Sequence, residues 1–194
     1  MADDAQLRML TANEAITLIA AALDVTEVAQ PPIVLIDGRS GAGKSTLAHL
    51  VRERVPRAQI IHLDDIYPGW DGLAAAREHL QRYVLDPLAE GRVARWPRWD
   101  WQSDALGEWV TVDSAAPMMV EGVGAVSDSS RSSAQLAVWV ELDSRSRKKR
   151  ALARDGDRFA PHWHSWARLE SAFIEREHPR EHSDAIVDGR TIAG

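Results

Sequence analysis

Short apolar runs alternate with stretches of helical period along most of this chain. IVLID at 33–37 is apolar almost throughout, the pattern of a strand buried on both faces. AQIIHLD at 58–64, PMMVEGVGA at 117–125, LAVWVEL at 136–142 and the short DAIVDG at 184–189 repeat it. The segments between them predict helices. LTANEAITLIAAAL precedes the first strand and opens on a capping box, Thr11 to Glu14. A helix from Lys44 to about Arg54 is closed by Pro56, and 72–91 is one long helix bent or broken at Pro87 and ended by Gly91. Residues 144–159 read as a basic helix followed by a loop, and 162–178 as another helix. Residues 92–112 read as two short extended pieces around a loop. Alternating strands and helices of this kind predict a mostly parallel five-stranded sheet with helices on both faces, a three-layer α/β fold.

The turn after the first strand carries the most information. Residues 38–45, GRSGAGKS, match G-x-x-x-x-G-K-[ST] in full, between a buried strand and a helix. Gly38, Gly41 and Gly43 allow the backbone to curl so that N–H groups converge on phosphates, and the helix N-terminus adds its partial positive charge. Gly38, Arg39, Ser40, Gly41, Ala42, Gly43, Lys44, Ser45 and Thr46 form the expected nucleotide cradle. Lys44 is placed to reach the β- and γ-phosphates, and Ser45 to ligate Mg²⁺. The predicted fold is therefore that of a P-loop NTPase, with ATP and Mg²⁺ as cofactors.

Composition narrows the setting. The chain has 194 residues, enough for one domain, in which 1–30 form a helical extension and about 150–165 a small basic lid. A net charge of −6 argues against a nucleic-acid partner. There is no cysteine, and no apolar run reaches membrane length, so a cytoplasmic protein is expected. Eight tryptophans are many, and most lie in 96–109 and 163–166, where they line a pocket or pack on the core.

Ligands of parallel sheets bind at the carboxyl ends of the strands. Asp64 and Asp65 end the second strand and Glu121 the third. A carboxylate at 64 can take a hydroxyl proton, cap a helix or, with Ser45 and Glu121, hold Mg²⁺. Arg150, Arg154 and Arg158 recur every four residues, so they fall near one helix face and suit a lid over transferring phosphates.

With GRSGAGKS, DDIY at 64–67, PRWDW at 97–101, VEGVGA at 120–125 and the basic lid together, the chain resembles the uridine kinase and phosphoribulokinase group of P-loop kinases. It looks most like the bacterial uridine-kinase-like proteins, over about 31–189. The resemblance implies that Asp64 is the catalytic base, that Tyr67, Asp71, Trp99 and Asp100 lie about the acceptor, and that Arg150, Arg154 and Arg158 are the lid arginines. Ile66 stands for the family's phenylalanine. The family's base-reading histidine would fall near Asp104, and no histidine occurs between His79 and His162. That loss changes which acceptor is taken.

Three readings stay open: a kinase of a hydroxyl on a small nucleoside-like or sugar-like acceptor; a nucleoside monophosphate kinase using Arg77, Arg82, Arg95 and Arg98; and a regulatory ATPase without a small acceptor. Oligomeric state is not readable.

Overall fold

A computed structural model describes residues 9–25 and 30–192. Strand β1 (Met9–Leu10) leads into helix α1 (Ala12–Leu23), whose Thr11–Glu14 capping box is formed as predicted. The chain then runs through β2 (Ile33–Asp37), α2 (Lys44–Arg54), β3 (Gln59–His62) and a 3₁₀ turn at Leu63–Asp65. Next come α3 (Leu73–Leu80), a π-helical stretch at Gln81–Leu85 and α4 (Asp86–Ala89). Strands β4 (Arg95–Asp100) and β5 (Ala105–Thr111) follow, then β6 (Met118–Glu121), α5 (Asp128–Arg131) and β7 (Leu136–Glu141). The chain closes with α6 (Ser144–Phe159), α7 (Trp163–Glu177) and β8 (Ala185–Asp188).

The main sheet is wholly parallel and has six strands, in the order β1-β8-β7-β2-β6-β3. The sixth strand, β1, is two residues long, too short to show a period, and it arises inside the segment predicted to be only helical. Residues 1–8 and 26–29 of that predicted extension lie outside the described residues. β4 and β5 pair as a separate antiparallel hairpin with an irregularity between Pro97 and Trp99.

Alternation along β2 divides the core in two. Val34 and Ile36 face α1 and α2 together with Leu47, Val51 and Ile19. Ile33 and Leu35 face the other layer, with Leu63, Leu80 and Phe173. Every one of the β2 side chains is buried, as its unbroken apolar run requires.

Three departures have local causes. The second strand stops at His62, so Asp64 and Asp65 sit on the 3₁₀ turn just past it rather than in the strand. Pro87 has no N–H to donate and its ring crowds the carbonyl one turn back, and the ladder widens to a π stretch just before it. The basic helix α6 contains Gly156 at φ 51°, ψ −132°, a conformation open to glycine, so a break falls inside the predicted lid.

Leu35 is fully buried at the centre of the sheet. Leu35→Ala should lower unfolding stability by about 2–5 kcal/mol, read as a lower denaturant midpoint at unchanged slope.

Candidate active site

The loop from β2 to α2 is shaped by its glycines and gripped by its surroundings. Gly38 has φ 147°, and a Cβ on it would lie 2.5 Å from the Val140 carbonyl oxygen. Gly41 has φ 81° and its Cα sits against the Arg147 carbonyl with no room for a side chain. The amides of Gly41, Gly43 and Lys44 find no acceptor among the described residues, whereas that of Ala42 donates to Arg39 O at 3.1 Å. Lys44 is buried and its Nζ donates to the same Arg39 carbonyl at 3.3 Å.

Two buried carboxylates hold this loop. Asp37, fully buried at the end of β2, accepts from the amides of Gly38 at 2.6 Å and Val126 at 2.9 Å, and from Gly124 at 3.2 Å. Burial drives its pKa up to about 7 against the pull of those amides and of Lys44. Glu170 of α7, 1% exposed, accepts the Ser40 amide at 2.8 Å and Arg39 Nε at 2.9 Å. Arg39 thus points to α7, where it also meets Ala167 O and Ser171 Oγ, and turns its charge away from the loop's concave side.

Opposite the loop lies a cluster of acids. Ser45 Oγ donates to Glu121 Oε1 at 2.8 Å, and His62 Nδ1 lies 2.6 Å from the same oxygen. Burial pushes the Glu121 pKa up, but the His62 hydrogen bond and the charge of Lys44 outweigh it, leaving the group below its ordinary value. The hydrogen bond to Glu121 raises His62 in turn, against partial burial. Asp64 is exposed on the 3₁₀ turn and also lines a cavity. The protein around it, and then the Glu121 charge, raise its pKa above the usual carboxylate value while Lys44 and Arg154 oppose this.

These groups line one cavity of about 520 Å³, together with Ser40, Asp65, Tyr67, Trp70, Trp101, Arg154, Asp155, Arg158, Phe159 and Trp166. That size suits a small ligand. Trp70 is the hub of its aromatic wall, parallel to His162 at 4.3 Å and to Phe159 at 5.3 Å between ring centres. Trp101 lies 4.9 Å from Trp70 and donates from Nε1 to Asp64 O at 2.8 Å.

The predicted residues divide. Ser40, Ser45, Asp64, Tyr67, Glu121, Arg154 and Arg158 meet around the cavity, with Lys44 beside it. The Tyr67 hydroxyl is committed to Val123 O at 2.8 Å, so the ring rather than the oxygen is presented. Arg150 instead donates to Gly189 O at 2.9 Å and reaches Ile192 O, because it lies one helical turn before Arg154, beside the C-terminal 3₁₀ turn at Gly189–Thr191. Arg154 is held by Asp155 through two contacts of 2.9 and 2.7 Å. Asp71, Trp99 and Asp100 do not line the cavity. Asp71 is exposed before α3, and Asp100 caps its own turn through Gln102 N and Ser103 Oγ. From the P-R-W-D-W segment it is Trp101 that enters.

Asp37, His62, Trp70 and Glu170 are neighbours of the cavity and its loop that sequence reasoning missed. Asp37 and His62 carried a signal, being polar residues at the ends of apolar strands. Glu170 carried none, since its partner lies 130 residues away.

The residues fit the groups the loop implies. Amides lacking acceptors on a curled backbone suit phosphate oxygens. Among the described residues no cluster of three or more acidic or histidine side chains is arranged to hold a metal alone. Mg²⁺ needs no such cage, because it binds through one or two protein oxygens, phosphates and water, and Ser45, Glu121 and Asp64 would be the oxygens to hold it.

A family model for zeta toxin matches residues 17–96 of the chain. No curated protein matches it by sequence. Among solved structures it is similar to a possible uridine kinase from Bacillus stearothermophilus, with a TM-score of 0.66 and 18% identity, covering 91% of this chain and 98% of that one. A Silicibacter protein provisionally described as a fructose transport system kinase gives a TM-score of 0.56 at 15% identity, with 92% and 98% covered. D-glycerate 3-kinase from Cryptococcus neoformans gives 0.50 at 13%, with 94% and 96% covered. The parallel sheet and the loop at its centre are thus those of a P-loop kinase fold. Within that class, the fold of this chain is the uridine-kinase-like one.

Because Asp37 holds its proton up to about pH 7 when folded but only to about 3.8 when unfolded, the folded state binds the extra proton between those values. Its contribution to stability should therefore fall as pH rises, by about 3 kcal/mol between pH 5 and 8. Unfolding curves across this range should show that slope in the wild type and a flatter one in Asp37→Asn. Equal slopes would mean that Asp37 is ionised throughout.

Proposed function

We propose that the protein is a Mg²⁺- and ATP-dependent kinase that phosphorylates a hydroxyl of a small, unphosphorylated, nucleoside-like or sugar-like acceptor. The observation that carries this is one cavity lined by Ser40 and Ser45 of the phosphate loop, by Asp64 and by five large aromatic rings. Asp64 accepts the hydroxyl proton, and its raised pKa makes it a stronger base than an ordinary aspartate. Lys44, Arg154 and Arg158 neutralise charge on the transferring phosphoryl group, with Lys44 leaving the Arg39 carbonyl to do so. Bound Mg²⁺ supplies further neutralisation and orientation, held by Ser45 and Glu121, with Asp64 beside them. Trp101, Trp70 and Trp166 exclude water and offer flat apolar faces to the acceptor, and Arg158 and Phe159 carry the lid side beyond Gly156.

The charge distribution favours a hydroxyl over a phosphate acceptor. Arg77 is paired with Glu177 at 2.9 Å, Arg98 contacts Asp65 and Glu108, and Arg82 and Arg95 lie over Tyr83 and Trp109. None of the four lines the cavity, so no arginine beyond Arg154 and Arg158 is there to hold an acceptor phosphate. Nothing comparable supports a regulatory ATPase.

ADP release from Mg-ATP, with nucleosides, sugars, other small alcohols and nucleoside monophosphates added singly, tests the reading. An unphosphorylated alcohol should raise turnover well above background. Asp64→Asn should then lower kcat by about 10²–10⁴-fold and Lys44→Ala by ~10²-fold or more. A monophosphate as the accelerating acceptor, with Asp64→Asn near the wild-type rate, would overturn it.

A further inference from the structure

Ser40 has every polar group of its residue tied to the two helices that end the chain. Its amide donates to Glu170 Oε1 at 2.8 Å, its carbonyl accepts from Arg147 Nη1 at 3.2 Å, and its hydroxyl accepts from Trp166 Nε1 at 2.9 Å. Trp166 and Glu170 lie one turn apart on α7, so one helix face delivers both. Arg147, 5% exposed, is itself fixed by Leu142 O at 3.1 Å and lies 4.0 Å from Glu170.

The planarity of the peptide unit gives these bonds a reach beyond Ser40. The Ser40 carbonyl and the Gly41 amide belong to one plane and point in opposite directions. Arg147, by gripping the carbonyl, turns the Gly41 amide away from itself, and that amide finds no acceptor among the described residues. The Ser40 amide and the Arg39 carbonyl share the preceding plane. Glu170, by taking the amide, aims the carbonyl at Lys44 Nζ. The orientation of the Gly41 amide and the resting place of Lys44 are therefore both set at Ser40.

Trp166 belongs equally to the other half of the cavity. It is 4% exposed, packs edge-on to Tyr67 at 4.9 Å and lies 6.2 Å from Trp70 at 85°. We propose that Trp166 is a positioning residue that couples the aromatic wall to the phosphate loop through its indole N–H on Ser40. Nucleotide on the loop changes the setting of the wall, and by reciprocity an acceptor against the wall changes nucleotide affinity. The inference rests on the reading of the cavity as a shared site for ATP and an acceptor.

The test uses a non-hydrolysable ATP analogue with Mg²⁺, titrated by calorimetry into wild type, Ser40→Ala, Trp166→Phe and the double variant. Each single change should weaken binding about two- to tenfold, the value of one net hydrogen bond, and the double should be no weaker than the poorer single. The emission of Trp166, taken as the difference between wild type and Trp166→Phe, should change on saturation, and Ser40→Ala should abolish that change. A merely structural contact would lower the melting temperature of the free protein without altering this optical response. Unchanged affinity in both singles, additive losses, or a Trp166 signal indifferent to nucleotide would overturn the coupling while leaving the kinase reading intact. Absence of analogue binding to the wild type would overturn that reading and the coupling with it. Should Trp166→Phe fold poorly, Ser40→Ala and direct acrylamide quenching read the same bond from the other side.

Discussion

The site depends on two buried carboxylates that hold open a loop in which the amides of Gly41 and Gly43 have no acceptor among the described residues. Asp37 and Glu170 lie on opposite sides of residues 38–43 and take the amides of Gly38 and Ser40. Burying a carboxylate is costly unless donors surround it, and each of these has several. Asp37 has amides from Gly38, Gly124 and Val126, which bind the loop to the glycine turn after β6. Glu170 has Ser40 and two arginines, which bind it to α6 and α7. The loop could otherwise close on itself to satisfy its own donors. Fixing it in the curled form keeps the Gly41 and Gly43 amides free of protein acceptors, the arrangement that suits phosphate oxygens.

How much was legible in the sequence follows from how local each feature is. The GRSGAGKS turn is contiguous, and its strand and helix flanks are visible as apolar and helical periods. Asp64 and Glu121 were also reachable, because parallel strands bring their carboxyl ends to one edge whatever their separation in sequence. β3 lies beside β6 in register, with His62 opposite Glu121, and the pair forms on that account. The tryptophans of 96–109 and 163–166 offered pocket or core, but their assembly into one aromatic wall was not legible. Trp70 comes from a turn, Trp101 from a hairpin, and Phe159, His162 and Trp166 from the lid and the helix after it. No periodicity relates them. The lid arginines show the limit of helical spacing. A four-residue repeat drifts round the helix, and from one to the next the surroundings change from the C-terminal turn to Asp155 and the cavity.

The cavity sets acids beside cations, and that pairing orders the chemistry. Asp64 and Glu121 repel each other across a space bordered by Lys44, Arg154 and His62, and the Asp64 pKa reflects the sum. Each cation that leaves Asp64 for a phosphate oxygen removes a term that held it ionised and so raises its basicity. Lys44, which lowers the pKa of both acids, is the cation that the loop frees for this purpose when it leaves Arg39 O. Arg154 is restrained from moving alone by its two contacts with Asp155, one residue short of the break at Gly156. Arg158 and Phe159 both lie beyond that glycine and both line the cavity, so any movement there would carry a positive charge and part of the aromatic wall together. On the proposed reading, the cations that would neutralise the phosphoryl group are the ones whose departure strengthens Asp64 as a base.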